Sequence, residues 1–178
     1  MPPFTESDLR FDFPADWVVR KFDDTAAYQS VSGHGLKGVD FICLAGEHDL
    51  CLIEVKNYLP RANYPTKQRT VAELVRHIER KFADSLRLIH VVHQAMQRRW
   101  TVRLRLRWYG FHLRPRPRDT YWFWWEAAQR VRNGQVRQVL WLEHVDGAYR
   151  RRVVDRLGGS VLVVDRGTND LPLRVSLP

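Results

Sequence analysis

Asp40 and, 13 residues further on, the run Ile53-Glu54-Val55-Lys56 place two carboxylates and one ammonium in a short span of otherwise apolar chain. Residues 50–57 have the composition of a strand, and strand side chains alternate between faces. Glu54 and Lys56 therefore share one face while Ile53 and Val55 share the other. If residues 39–44 form the neighbouring strand of a hairpin, Asp40 sits across from the pair. Enclosing three charged groups among Phe41, Ile42, Leu52 and Ile53 is costly unless they are paired with one another or bind a metal ion. A same-face or cross-strand surface ion pair between Glu54 and Lys56 is the alternative that the same residues allow.

The elements needed to position such a group can be read on either side of it. Residues 17–22 read as a first strand, entered through Phe13-Pro14 and left through Asp23-Asp24, and residues 24–29 as a short helical turn. Ser32, Gly33, Gly35 and Gly38 mark a loop before the second strand, and residues 45–49 have the polarity of a hairpin connection. Thr70-Val71-Ala72-Glu73 matches a capping box, the Thr side chain bonding the N3 amide and Glu73 answering to the Thr amide. Beyond it Val71, Leu74, Val75, Ile78, Phe82, Leu86, Ile89, Val92 and Met96 recur at helical spacing and predict one apolar face running to the neighbourhood of Gln97. In residues 98–118, Val102, Leu104, Leu106 and Trp108 alternate with Arg103, Arg105 and Arg107, which favours a half-buried strand over a continuing helix. Asp119 is placed to cap a helix over 120–132 that ends at Asn133-Gly134. A strand over 136–143, a helix over 148–156 closed by Gly158-Gly159 and a buried strand over 161–164 complete an α/β sandwich with a mixed sheet. No repeat, low-complexity tract or Gly/Ser linker divides the 178 residues, so a single domain is expected.

Gly38-Val39-Asp40 followed by Ile53-Glu54-Val55-Lys56, both on strands, with a helix next and a further strand behind, resembles the PD-(D/E)xK, or restriction-endonuclease-like, nuclease superfamily. The opening Phe11-Asp12-Phe13-Pro14, then Lys21-Phe22-Asp23-Asp24 and Tyr28, looks like poorly described bacterial members. The likeness covers residues 17–98 and extends to 136–143, which implies a core of 17–98 and 136–165 with an Arg/Trp-rich insertion at 99–135. It implies a Mg²⁺-dependent phosphodiesterase, with Mn²⁺ as substitute, acting on DNA, RNA being a further substrate class. Asp40, Glu54 and the backbone carbonyl of Val55 would ligate the metal, and Lys56 would orient or deprotonate the attacking water and offset transition-state charge. Val39 stands where the superfamily commonly has Pro. The additional acid that an N-terminal helix often supplies falls to Asp24, ahead of Glu6 and Asp23. By the same analogy the role is prokaryotic defence against foreign DNA or DNA processing, with activation by an ATPase, helicase or sensor partner, and a homodimer would suit double-strand cleavage. A catalytically silent nucleic-acid-binding or scaffolding subunit is the competing class.

Charge is uneven along the chain. The formal net charge is +9, but residues 1–60 carry five Lys+Arg against ten Asp+Glu and the remainder 24 against ten, a net of −5 followed by +14. An acidic, cation-binding first third joined to a basic surface suits a polyanion-binding protein, since neutralising phosphates drives nucleic-acid affinity. Codon-driven Arg usage accounts equally for 24 Arg beside five Lys. Arg98, Arg99, Arg103, Arg105, Arg107, Arg114, Arg116 and Arg118, interleaved with Trp100, Trp108, Tyr109 and Phe111, are the candidate nucleic-acid surface, with a solvated basic strand as the alternative. Tyr121-Trp122-Phe123-Trp124-Trp125 is expected to pack. His90 and His93 lack a third ligand in register, so no zinc is assigned, and Cys43 and Cys51 are expected as small buried hydrophobes. Asn57, Tyr58, Gln29, Ser30 and His34 are further candidates around the site. The aromatic content excludes a disordered chain, and no apolar run reaches a membrane span. With two cysteines and no secretory signal in residues 1–10, a cytoplasmic location is expected.

Overall fold

The computed structural model describes residues 3–29, 35–59, 68–111 and 119–177. The central layer is a five-stranded mixed sheet. It contains β3 (Val18–Lys21), β4 (Phe41–Ala45), β5 (Asp49–Asn57), β6 (Val136–Glu143) and β7 (Leu162–Val164), in that spatial order. The first three strands are antiparallel neighbours, whereas β5, β6 and β7 run parallel. Parallel neighbours require crossovers. Those after β5 carry α2 (Val71–Arg98), α3 (Trp100–Phe111) and α4 (Thr120–Arg132), and the one after β6 carries α5 (Gly147–Leu157). A short α1 (Ala26–Gln29) follows β3.

Alternation along the strands divides the interior in two. Ile42, Leu44, Leu50, Leu52, Leu140 and Leu142 face the helices and pack against Leu74, Ile78, Phe82, Phe123, Trp124 and Val153. Phe41, Cys43, Cys51, Ile53, Val55, Val139 and Trp141 face the opposite way. Their cover is a small antiparallel sheet of β1 (Phe4–Glu6), β2 (Leu9–Asp12) and β8 (Arg174–Ser176), which contributes Leu9 and Phe11. The β1–β2 turn is Ser7-Asp8, both left-handed at φ 51° and 59°, the backbone of a two-residue hairpin turn.

Most predicted elements are present within two residues. Thr70 forms the complete capping box, and Asp119 accepts from the Tyr121 and Trp122 amides as the cap of α4. Cys43 and Cys51 are buried cross-strand partners. Trp122, Phe123 and Trp124 are core residues, so residues 119–132 of the expected insertion belong to the helical layer. The half-buried strand expected over 102–108 is corrected to helix α3. Among its described side chains, Val102 and Leu106, four apart, are buried, while Trp100, Leu104 and Trp108, also four apart, are exposed. Alternation of Arg with apolar residues satisfies both periods over so short a run, and Arg and Leu are good helix formers.

Arg130 ties α4 to the β4–β5 hairpin. It is a buried guanidinium, 5% exposed, donating to the carbonyls of Asp49 at 2.6 Å, Gly46 at 3.0 Å and Glu47 at 3.2 Å and to Glu126 Oε1 at 3.1 Å. The planar fork gathers acceptors that the tight connection cannot pair within itself.

Candidate functional site

Asp40 is fixed by its backbone before its carboxylate makes any contact. Gly38 passes so close to Phe22 that a Cβ on it would lie 2.2 Å from the ring. Next, the Val39 amide donates to Ser85 Oγ at 3.0 Å, and the Asp40 carbonyl accepts from the Phe22 amide at 2.9 Å. Asp40 thus lies one residue before β4. Because Phe41 pairs with Ile53, Asp40 comes opposite Glu54, as the hairpin predicts. Its Oδ2 accepts from the Val55 amide at 2.7 Å, extending the ladder past the end of β4 with a side chain.

Glu54 projects towards the helices and is 0% exposed. Its Oε1 accepts from Lys56 Nζ and its Oε2 from Lys81 Nζ at 2.8 Å. Lys81 Nζ also lies 3.4 Å from Asp40 Oδ1, and Lys56 Nζ donates to the Val55 carbonyl at 3.0 Å. Two carboxylates and two ammoniums therefore form one network where β5 reaches its C-terminal end. Burial pushes the Glu54 carboxyl above its ordinary range, Asp40 adds to this, and Lys56 and Lys81 oppose it. For Lys81, burial works to lower the pKa, but Glu54 and Asp40 outweigh it and hold the ammonium above its ordinary value.

The oxygen donors here are the two carboxylates and the Val55 carbonyl. An all-oxygen set with one or two carboxylates is what a hard, partly hydrated cation such as Mg²⁺ takes, so these residues fit that ion. Among the described residues no group of three or more His, Cys, Asp or Glu gathers into a denser metal cage.

An acidic rim lies beside the network. Lys21 Nζ pairs with Glu6 at 2.8 Å. Of the two turn acids, Asp23 has its carboxyl raised by burial and is influenced by both Lys81 and Asp40. Asp24, the expected additional acid, acts on Lys21 and Asp23 and is exposed at the start of α1. Asn57 is occupied as a clamp. Its Nδ2 donates to the Ser7 carbonyl at 2.8 Å, and its Oδ1 accepts from the Leu59 amide at 3.1 Å and from His144 Nδ1 at 2.7 Å. Tyr58 packs edge-on against Tyr149, and Gln29 donates to the Asp23 carbonyl at 3.3 Å. Ser30 and His34 lie outside the described residues.

The expected basic surface is placed elsewhere. Arg98, Arg99, Arg103, Arg105 and Arg107 are exposed at the end of α2 and along α3. Arg98 is seventeen residues beyond Lys81 on one helix, about 25 Å at 1.5 Å per residue. Arg105 pairs with Asp119 at 2.7 Å and lies over the Tyr121 ring. Arg114, Arg116 and Arg118 fall outside the described residues.

Two features went unread in the sequence. Lys81 is one, although its signal was available: it falls within the stripe Leu74, Ile78 and Leu88 of α2, whose three members are buried, and a lysine there needs a partner. The other is a cleft of about 720 Å³ beside the first turns of α2, lined by Lys37, Arg69, Arg76, His77 and Arg80 together with Gln68, Thr70 and Glu73. His77 bridges cleft and network, one helical turn before Lys81. Its pKa is lowered to about 4, first by burial and then by the positive field of Arg69, Lys56, Lys81 and Lys37. The unfolded chain protonates this imidazole near 6.5 and the folded chain only near 4, so between those values the unfolded state binds more protons and stability falls as pH falls. His77→Gln is expected to lose less of its urea midpoint between pH 7 and pH 4.5 than the parent protein; equal losses would refute this assignment.

Compared with protein-family models, curated proteins and solved structures, the chain matches none.

Proposed function

We propose that the protein is a divalent-cation-dependent phosphodiesterase acting on nucleic acid, DNA first, with Asp40, Glu54 and Lys56 as its reacting group and Lys81 as a fourth member. The observation that carries this reading is the convergence of Asp40, just before β4, and Glu54 of β5 onto two lysines near the C-terminal end of β5. Asp40, Glu54 and the Val55 carbonyl would hold the cation, which supplies Lewis acidity and a more acidic bound water. Lys56 and Lys81 neutralise the carboxylates, and their ammoniums are placed to offset negative charge gathering on a phosphate brought to the same edge. The Asp40–Val55 hydrogen bond sets the carboxylate's direction, so little reorganisation is required when substrate arrives. The resemblance to PD-(D/E)xK nucleases supports this assignment and, by analogy alone, a place in defence or DNA processing under the control of a partner.

The test is cleavage of plasmid, single-stranded DNA and RNA in Mg²⁺ or Mn²⁺ against EDTA. Cleavage is expected only with metal, and Lys56→Ala is expected to reduce it by about 100- to 1,000-fold, the order of one lost electrostatic contact. Cleavage that persists in EDTA, or that Lys56→Ala leaves intact, would sink the reading.

One observation favours a second reading. Both carboxylates already have ammonium partners, which is what a structural ion network in a silent nucleic-acid-binding subunit would also show. Binding without cleavage under either metal, with candidate ATPase, helicase or sensor partners added, is the outcome that selects it.

A further inference from the structure

The cleft beside α2 offers the cationic surface that α3 does not bring to the carboxylates. Lys37, Arg69, Arg76 and Arg80 are exposed along it. Arg80 shares its charge with Asp84, 3.6 Å away, but among the described residues no ion pair engages Lys37, Arg69 or Arg76. Lys37 is itself anchored, its amide donating to Asp84 at 3.1 Å, so the loop that leads into Asp40 also forms the cleft's wall. A second hollow of about 540 Å³ continues past Arg69 and Thr70 to Tyr149 and Arg152.

We infer that this cleft is the track on which a nucleic-acid strand lies, its backbone phosphates paired with Arg69, Arg76, Arg80 and Lys37, leading the strand to Asp40 and Glu54. Position, length and field each support it. Arg76 and Arg80 are four apart and so neighbours on one face of α2, with His77 and Lys81 one residue further along each turn. From Val71, two residues after Arg69, to Arg80 the helix advances about 14 Å, the axial length of roughly four phosphates of one duplex strand at 3.4 Å each. The positive field that adds to burial in keeping the proton off His77 is the field a phosphodiester would enter, and it includes Lys56 and Lys81 of the network. A binding site for one small anion would need a closed pocket with few convergent groups; here cations line an open channel that continues beyond the cleft, which suits a chain of phosphates.

This inference rests on the phosphodiesterase reading for its destination but not for its test, because binding is measured in EDTA where that reading predicts no turnover. Fluorescence anisotropy of a labelled 12-nucleotide DNA, and of the matching RNA, would be followed from 50 to 300 mM KCl. Arg69→Gln/Arg76→Gln/Arg80→Gln is expected to reduce the slope of log K against log salt by about two to three, at 0.7 to 0.9 per phosphate released. Arg103→Gln/Arg105→Gln/Arg107→Gln on α3 is the comparison, expected to keep the parent slope to within one. All six positions are exposed, and circular dichroism checks that each variant is folded. Independently, the His77 ring, followed by NMR in the parent protein, is expected to titrate at higher pH when the oligonucleotide is bound. An unchanged salt slope in the α2 triple overturns the inference whatever the α3 triple does, as does a His77 titration unmoved by saturating DNA and RNA. Failure to cleave in Mg²⁺ with the slope change intact would remove the phosphodiesterase reading alone.

Discussion

Lys81→Met is expected to lower the unfolding free energy by about 3 kcal/mol in EDTA, the order found when one partner of a buried ion pair is removed. Lys81 Nζ is the group shared by Glu54 Oε2 at 2.8 Å and Asp40 Oδ1 at 3.4 Å. Without it, Asp40 and the fully buried Glu54 face each other with Lys56 as the remaining cation. The replacement keeps the apolar stem, so the loss reports charge more than volume. Mg²⁺ or Mn²⁺ is expected to restore most of it, because a cation present at 100 times its Kd stabilises by about 2.7 kcal/mol. The parent protein should respond less, its carboxylates being already neutralised. In EDTA, Glu54→Leu combined with Lys81→Met is expected to lose less than the sum of the single variants by about 1 kcal/mol or more, as groups in contact do. Urea unfolding of the four proteins with and without metal measures all of this. No recovery of Lys81→Met in either metal would remove the cation from the site, and no initial loss would remove the network from the stability of the fold.

Arg130→Met is expected to destabilise by about 4 kcal/mol, since it strands several part-buried carbonyls and the Glu126 carboxylate at once. The guanidinium serves three carbonyls within 3.2 Å in the turn between β4 and β5, the hairpin whose far end carries Asp40 and Glu54. Arg130→Lys should recover only part, because a lysine carries one point charge and lacks the planar fork. If Arg130→Met unfolds at the parent's urea midpoint, these bonds contribute nothing net. Asp40 and Glu54 are set by register, so a variant that stays folded but loosens the turn should also weaken any metal response of the Lys81→Met background.

What could be read from the chain follows from how local each signal is. Thr70 and Glu73 are three residues apart and complete one box; Asp119 caps the amides two and three residues ahead of it. The hairpin put Asp40 opposite Glu54 because the strand period alone decides faces. The small sheet escaped for the opposite reasons. Its turn, Ser7-Asp8, takes two left-handed residues without the glycine that usually signals them. Its third strand pairs Arg174 with Asp12 and Val175 with Phe11 from the other end of the chain, where no local pattern could show it. In α3, alternation was read with the wrong period because Val102 and Leu106 satisfy two periods at once. Arg is dense along α3, whereas the cations of the cleft are spread over Lys37, Arg69, Arg76 and Arg80, on two chain segments that only the folded chain brings together. Lys81 shows the reverse failure: the interruption of an apolar stripe was visible, but its partners were not.

The division of the sheet into a face under the helices and a face under the small sheet has a consequence for how the hairpin finds its place. A slip of one residue in β5 would exchange every side chain between the two faces. Glu54 would then point among Phe11, Phe41 and Trp141, taking Lys56 with it and leaving Lys81 behind, while Val55 met the Lys81 ammonium. Such a misalignment would bury Glu54 and Lys56 in an apolar layer and strip Lys81 of its closest carboxylate, a cost of several kcal/mol, so the acid proposed to serve the chemistry also proofreads the strand against odd-numbered shifts.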